Sequence, residues 1–185
     1  RAKPESKYYV TGTARFLDPD ADYGALTGKN VQIHTGSALI MEKAVDVVAS
    51  VLNEEASVKV VPDGYYYQSG GAVMEEGFVA KTGRKVLIDG DLEIRDSAEM
   101  EKLDALEVSG SVLLQEKDRK AFLEVCKTYG ALRLFRGRLL KDIPELMIDR
   151  GMLESALEGL TVVDCVSVTL AEDVTAQLIE ERLQL

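Results

Sequence analysis

A short alternating apolar segment recurs along the chain, each copy broken near its middle by glycine or another small or polar residue, and this recurrence limits the fold more than any other feature. The clearest copies are residues 85–95 (KVLIDGDLEIR) and 105–115 (ALEVSGSVLLQ). In the first, Val86, Ile88, Leu92 and Ile94 keep a period of two straight through Gly90; in the second, Leu106, Val108, Val112 and Leu114 do so through Gly110. Period two belongs to a strand with one buried face, whereas a helix needs apolar residues three and four apart. The same shape occurs at 8–17, 31–41, 131–141 and 160–170, with a degenerate copy at 58–68. Taking Gly12, Gly36, Gly64, Gly90, Gly110, Gly137 and Cys165 as markers, the spacings are 24, 28, 26, 20, 27 and 28 residues. Periods of this size are the mark of stacked repeats.

Helical patterns lie between several copies. Residues 41–53 place Val45, Val48 and Leu52 on one stripe, and residues 116–129 do the same with Phe122, Val125, Cys126 and Tyr129. Asp96 with Glu99 reads as a capping box opening a helix over 97–103, and Thr169 with Glu172 opens a last helix carrying Val174, Leu178 and Ile179. One strand and one helix cannot bury their apolar faces alone, so the units must stack, giving a parallel sheet with strands about 4.8 Å apart and helices or loops on its outer side. Glycine inside a strand costs roughly 0.5–1 kcal/mol relative to alanine, and its repetition implies a bend or a close backbone approach.

This arrangement resembles a leucine-rich-repeat solenoid, whose repeats run about 20–29 residues, over roughly residues 8–185. The fixed leucine offsets and the asparagine ladder of that family are replaced here by glycine, aspartate or cysteine, and the only asparagines are Asn30 and Asn53. The resemblance implies a strand-lined face that binds protein or ligand. Two other folds remain open on the residues alone. One is a compact α/β domain with βαβ crossovers. The other is a hairpin-rich α+β domain turning at Asp63-Gly64, Asp89-Gly90 and Ser109-Gly110. Unequal periods argue against a highly regular β-helix.

The 185 residues read as a single α/β repeat domain, with irregular loops at 18–30 and 69–83. The chain starts at Arg1 rather than methionine, and its last helix has no following strand, which reads as an excerpt of a longer array. With 46% hydrophobic residues the chain has the material for a packed core. Its net charge of −10 disfavours nucleic acid as a partner. No apolar run is long enough to cross a bilayer. Cys126 and Cys165, in apolar surroundings and without a CxxC pair, read as reduced thiols of a cytoplasmic protein. One histidine cannot supply a histidine-rich metal centre, and neither glycine stretch forms a phosphate cradle, so no metal or cofactor is expected.

Three groups of side chains are candidates for function. Arg133, Arg136, Arg138 and Lys141 crowd one copy around Phe135, a basic patch suited either to a partner's carboxylates or to acids on neighbouring repeats. Tyr65 and Tyr67 share one strand face and supply contact area at low entropic cost. Asp89, Asp91 and Glu93 alternate as a row of carboxylates, either a solvated face or a site for a cation or basic partner. The expected function is a non-enzymatic scaffold or protein-binding module. The alternatives are a small metal-independent hydrolase or transferase using His34 with Thr35 or Ser37, which lacks a GxSxG elbow, and a self-assembling structural module.

Overall fold

The computed structural model describes residues 6–185, and the chain divides into two compact units, Arg1–Tyr67 and Gln68–Leu185. Both have a repetitive α/β architecture of short parallel strands with peripheral helices. In the first unit, β1 (Lys7–Phe16) is followed by the one-turn helix α1 (Gly24–Gly28), then β2 (Val31–Met41), α2 (Val45–Ala49) and β3 (Ser57–Val61). β1 pairs with β2 from Lys7↔Val31 to Phe16↔Ile40, and β3 extends the ladder from Ser37↔Ser57 to Met41↔Val61. Phe16, Ile33, Ile40 and Val48 form the centre of this core. The helix expected over 41–53 shortens to a 3-10 turn at Glu42–Ala44 and α2. Its valines resist helix, and the chain has to return by Leu52, which bridges Ile33, and Asn53, whose Oδ1 accepts from the Thr35 amide at 2.8 Å.

The boundary falls within β4 (Tyr66–Ser69), and the second unit goes on with β5 (Ala72–Met74), α3 (Phe78–Thr82), β6 (Lys85–Asp89), β7 (Leu92–Ile94) and α4 (Ser97–Glu101). It continues with β8 (Ala105–Val108), β9 (Ser111–Gln115), α5 (Arg119–Val125), β10 (Cys126–Thr128) and β11 (Ala131–Phe135). Each rung is two short strands meeting at a corner. The first strands build the sheet β10-β8-β6-β4 and the second strands the sheet β11-β9-β7-β5. The hairpin alternative fails here, since β6 and β7, flanking Asp89-Gly90, lie in different sheets. Val86 pairs with Leu106 and Leu106 with Cys126, each 20 residues on. Leu134 belongs to the other ladder, beside Leu114. Val86, Ile88, Leu92, Ile94, Leu106, Val108, Val112 and Leu114 are all at most 2% exposed, as period two requires.

The corners explain the glycines. Gly70, Gly90, Gly110 and Gly130 occupy successive corners, and the amides of Gly110 and Gly130 donate to the carbonyls of Gly90 and Gly110 at 3.0 and 2.9 Å. A Cβ on Gly90 would lie 2.5 Å from the Gly70 carbonyl carbon. The period over these corners is therefore 20, whereas β1–β2 pair at an offset of 24 and β12–β14 and β13–β15 at 22, and two of the glycines taken as repeat markers belong elsewhere. Gly64 sits in the turn after β3, and Gly137 (φ 62°) turns the chain out of β11. Residues 69–83, expected to be irregular, form a regular rung with β5 and α3, and the loop 18–30 holds α1. Side chains reinforce the stacking one rung on. Arg84 makes a two-pronged ion pair with Asp104 at 2.8 and 3.0 Å, and the buried Glu99 carboxylate accepts from the Val79 amide at 2.8 Å. Lys102 and that amide hold the Glu99 carboxyl below its usual range. Asp96 caps α4 through the Ala98 amide, 2.9 Å, while Glu99 serves the neighbouring rung instead of closing a capping box. α5 ends at Val125 because Cys126 turns extended to join β8, and Tyr129 meets Phe122 edge-on at 5.5 Å.

The remaining elements are β12 (Arg138–Lys141), β13 (Glu145–Ile148), α6 (Arg150–Ser155), β14 (Leu160–Val163), β15 (Ser167–Leu170), α7 (Ala176–Arg182) and β16 (Leu183–Gln184). They pair as β12-β14-β16 and β13-β15 around Ile148, Leu153 and Leu160. The segment 131–141 is thus split between two sheets instead of forming one bent strand. The last helix is capped by Thr175, whose Oγ1 accepts from the Leu178 amide, and not by Thr169, which lies within β15.

Candidate functional site

The outer face of the sheet β5-β7-β9-β11 carries one row of register partners, Val73, Glu93, Leu113 and Arg133. Strand alternation sends their neighbours Leu92, Ile94, Val112 and Leu114 into the core, so this row faces the opposite way. On a bare sheet it would be wet. Here Leu113 is 5% and Glu93 8% exposed, because Lys141, ending β12, and Asp164, just after β14, come over it. Together these residues line a groove of about 300 Å³.

The groove combines an apolar floor with paired charges. The Glu93 carboxylate accepts from Arg95 Nε at 2.6 Å and lies 3.6 Å from Lys141 Nζ. Arg133 Nη1 donates to Asp164 Oδ2 at 3.3 Å, with both side chains about half exposed. Asp142 first, and Glu93 after it, hold the Lys141 ammonium above the usual lysine range. A covered carboxylate between two cations is favourable only while both stay in place. The Arg133–Asp164 pair is solvated, worth at most about 1 kcal/mol, and so readily exchanged for a partner's groups.

The basic patch read from the sequence is divided by the fold. Arg133 and Lys141 meet in the groove. Arg136 lies elsewhere, 3.9 Å from Glu116, with its backbone amide and carbonyl both engaged by the Thr161 hydroxyl. Arg138 is exposed on β12 and has no ion pair among the described residues. The carboxylate row is divided too. Asp89 accepts from Ser109 Oγ at 3.0 Å and Asp91 from the Ser111 amide at 2.7 Å, bracing the next corner, while Glu93 serves the groove. Tyr65 and Tyr67 are half-buried and, with Leu17, Met41, Val61 and Tyr66, line a separate apolar cavity of about 260 Å³ in the first unit.

His34 is exposed on β2 with its ring stacked on Tyr8, centroids 4.7 Å apart. The neighbouring hydroxyls are occupied elsewhere: Thr35 Oγ1 donates to the Ser37 carbonyl at 2.7 Å, and Ser37 Oγ shares a 3.0 Å hydrogen bond with Thr13. Among the described residues no three metal-binding side chains converge, and no helix is long and apolar enough to cross a membrane. The buried Cys126 thiol is pushed up to about 11 by desolvation, which makes it a poor nucleophile at neutral pH. Leu113 and Asp164 are groove residues absent from the sequence-based candidates. Counting 20 residues on from Val73 and Glu93 finds Leu113, but nothing in the sequence brings Asp164 to it. Neither family models, nor curated proteins, nor solved structures give a significant match to this chain.

Proposed function

We propose that the protein is a non-enzymatic scaffold, built on the plan of a leucine-rich-repeat solenoid, that docks a segment of a partner protein in the groove over β7, β9 and β11. The observation that carries this reading is the groove itself: an apolar floor at Val73 and Leu113, edged by exchangeable charges at Arg133 and Asp164, on a face whose spacing is fixed by the stacked rungs. Such a surface offers apolar contact at its centre and charge selection at its rim. The stacking of His34 on Tyr8, away from the Thr35 and Ser37 hydroxyls, supports a binding role over hydrolysis. Partners recovered by affinity capture are to be titrated by calorimetry against the native chain and the Arg133→Glu variant. The reversed charge, placed beside Asp164, is expected to weaken the authentic partner about tenfold or more, about 1.4 kcal/mol. Unchanged affinity for every captured partner overturns the assignment.

A further inference from the structure

The two ion pairs across the groove are unequal. In Glu93–Lys141 the side chains are 10% and 29% exposed; in Arg133–Asp164 they are 47% and 50% exposed. Covered charges separate only at a high cost and solvated ones at little, so the first pair is the fixed end of the groove and the second the end that exchanges. Glu93 is held by Arg95 as well as by Lys141, and the other acid of the lining, Asp91, is engaged by the Ser111 amide at 2.7 Å.

The exchangeable pair is also unequal within itself. Arg133 lies inside β11 as the register partner of Leu113, so it rises from the floor about 4.8 Å along from the apolar centre. Asp164 stands at the rim, just after β14, in a left-handed turn (φ 53°). Of the five guanidinium N–H donors, one meets an acceptor among the described residues, Asp164 Oδ2 at 3.3 Å. An occupant lying on Leu113 covers the guanidinium, which then needs an acceptor inside the groove, whereas Asp164 can turn out to water.

We infer, on the premise that the groove docks a partner segment, that the segment it selects carries a carboxylate side chain, which takes Arg133 from Asp164. A carboxylate entering along the floor can accept two parallel bonds from the guanidinium fork, where Asp164 accepts one. An apolar side chain two residues away lies on the same face of an extended segment, roughly 6.6 Å off, and covers Leu113. Asp164 is then an internal competitor that holds Arg133 until the partner's acid replaces it.

The probes are three acetylated and amidated pentapeptides, Gly-Leu-Ser-Xaa-Gly with glutamate, glutamine or lysine at Xaa. They are titrated into the isotope-labelled full chain and followed by NMR through the Leu113 and Arg133 amides. The glutamate peptide is expected to move both signals and to bind about fivefold or more tighter than the other two. Asp164→Asn keeps a residue type that tolerates the left-handed turn and is expected to tighten the glutamate peptide severalfold. Arg133→Gln is expected to abolish the preference, leaving the glutamate and glutamine peptides alike. A lysine peptide that binds at least as tightly as the glutamate one overturns the carboxylate selection and leaves the docking groove standing. So does an Asp164→Asn chain that binds the glutamate peptide no better than the native chain. Signals that no peptide moves overturn the selection as well, while titration of captured partners against Arg133→Glu decides the docking role separately.

Discussion

Gly90→Ala is expected to destabilise the second unit by about 3 kcal/mol, the upper range of overpacking costs, seen as a fall in the urea midpoint. The added methyl would lie 2.5 Å from the Gly70 carbonyl carbon and 2.7 Å from both the Gly70 oxygen and the Gly71 nitrogen. All three are backbone atoms, with the Gly70 amide beside them donating to the Asp89 carbonyl at 3.0 Å, so no side chain can swing aside. Relief requires prising two rungs apart along a ladder that Gly110 and Gly130 continue. The control is Gly12→Ala, in a strand with nothing within 4 Å of the built Cβ. That change is expected to move stability by no more than about 0.5 kcal/mol, as at other unconstrained surface sites. Equal effects at the two positions would remove the close-approach explanation of the corner glycines.

Phe122→Ala is expected to cost about 3–5 kcal/mol, the range for deleting a fully buried aromatic ring. Phe122 is 0% exposed and is the largest fully buried side chain in a core that also holds Met100, Leu106, Leu114 and Cys126. It is the principal anchor of α5, a helix of seven residues that is too short to hold its shape without tertiary packing. The ring also meets Tyr129 edge-on at the start of the next corner, so its loss loosens both the helix and the entry to β11. Thermal unfolding should show a large drop in midpoint. A change under about 1 kcal/mol would mean the helix is held by contacts other than this one.

The strands and their buried faces were legible because period two is a local property. Val86 to Ile94 and Leu106 to Leu114 can be read without knowing any neighbour, and all these positions are buried. The period was less legible. Gly64 looks like a corner glycine in sequence but has nothing near it, Gly137 makes its close approach to Gly159 instead of to a corner, and the corner contacts run through Gly70, Gly90, Gly110 and Gly130 across 20 residues, a tertiary fact. Taking Gly137 for a corner also joined β11 to β12, which pair in different sheets. Helix lengths were overestimated for a related reason: an apolar stripe continues into residues such as Cys126 and Leu52 that leave the helix to pair with the next strand or bridge to it. In the groove, Arg133 and Lys141 were recognisable as a basic cluster. Their carboxylate partners were not, because Glu93 and Asp164 arrive from other strands, 48 and 31 residues from Lys141 and Arg133 respectively.

From β5 to β11, residues 20 apart are neighbours in adjacent rungs. Thiol-to-thiol bridging with dibromobimane, located by peptide mass mapping, tests it directly in a Cys165→Ser background, with the buried Cys126 thiol, pushed up to about 11, left in place. Lys85 and Ala105 are register partners, as are Ser111 and Ala131, so each pair should stand about 4.8 Å apart between Cα atoms. Paired cysteines at 85 and 105, and at 111 and 131, are predicted to bridge within the monomer, whereas cysteines at 85 and 131, in different sheets and two rungs apart, are predicted not to. Bridging at 85 and 131 with none at 85 and 105 would contradict the stacking and the binding face built on it.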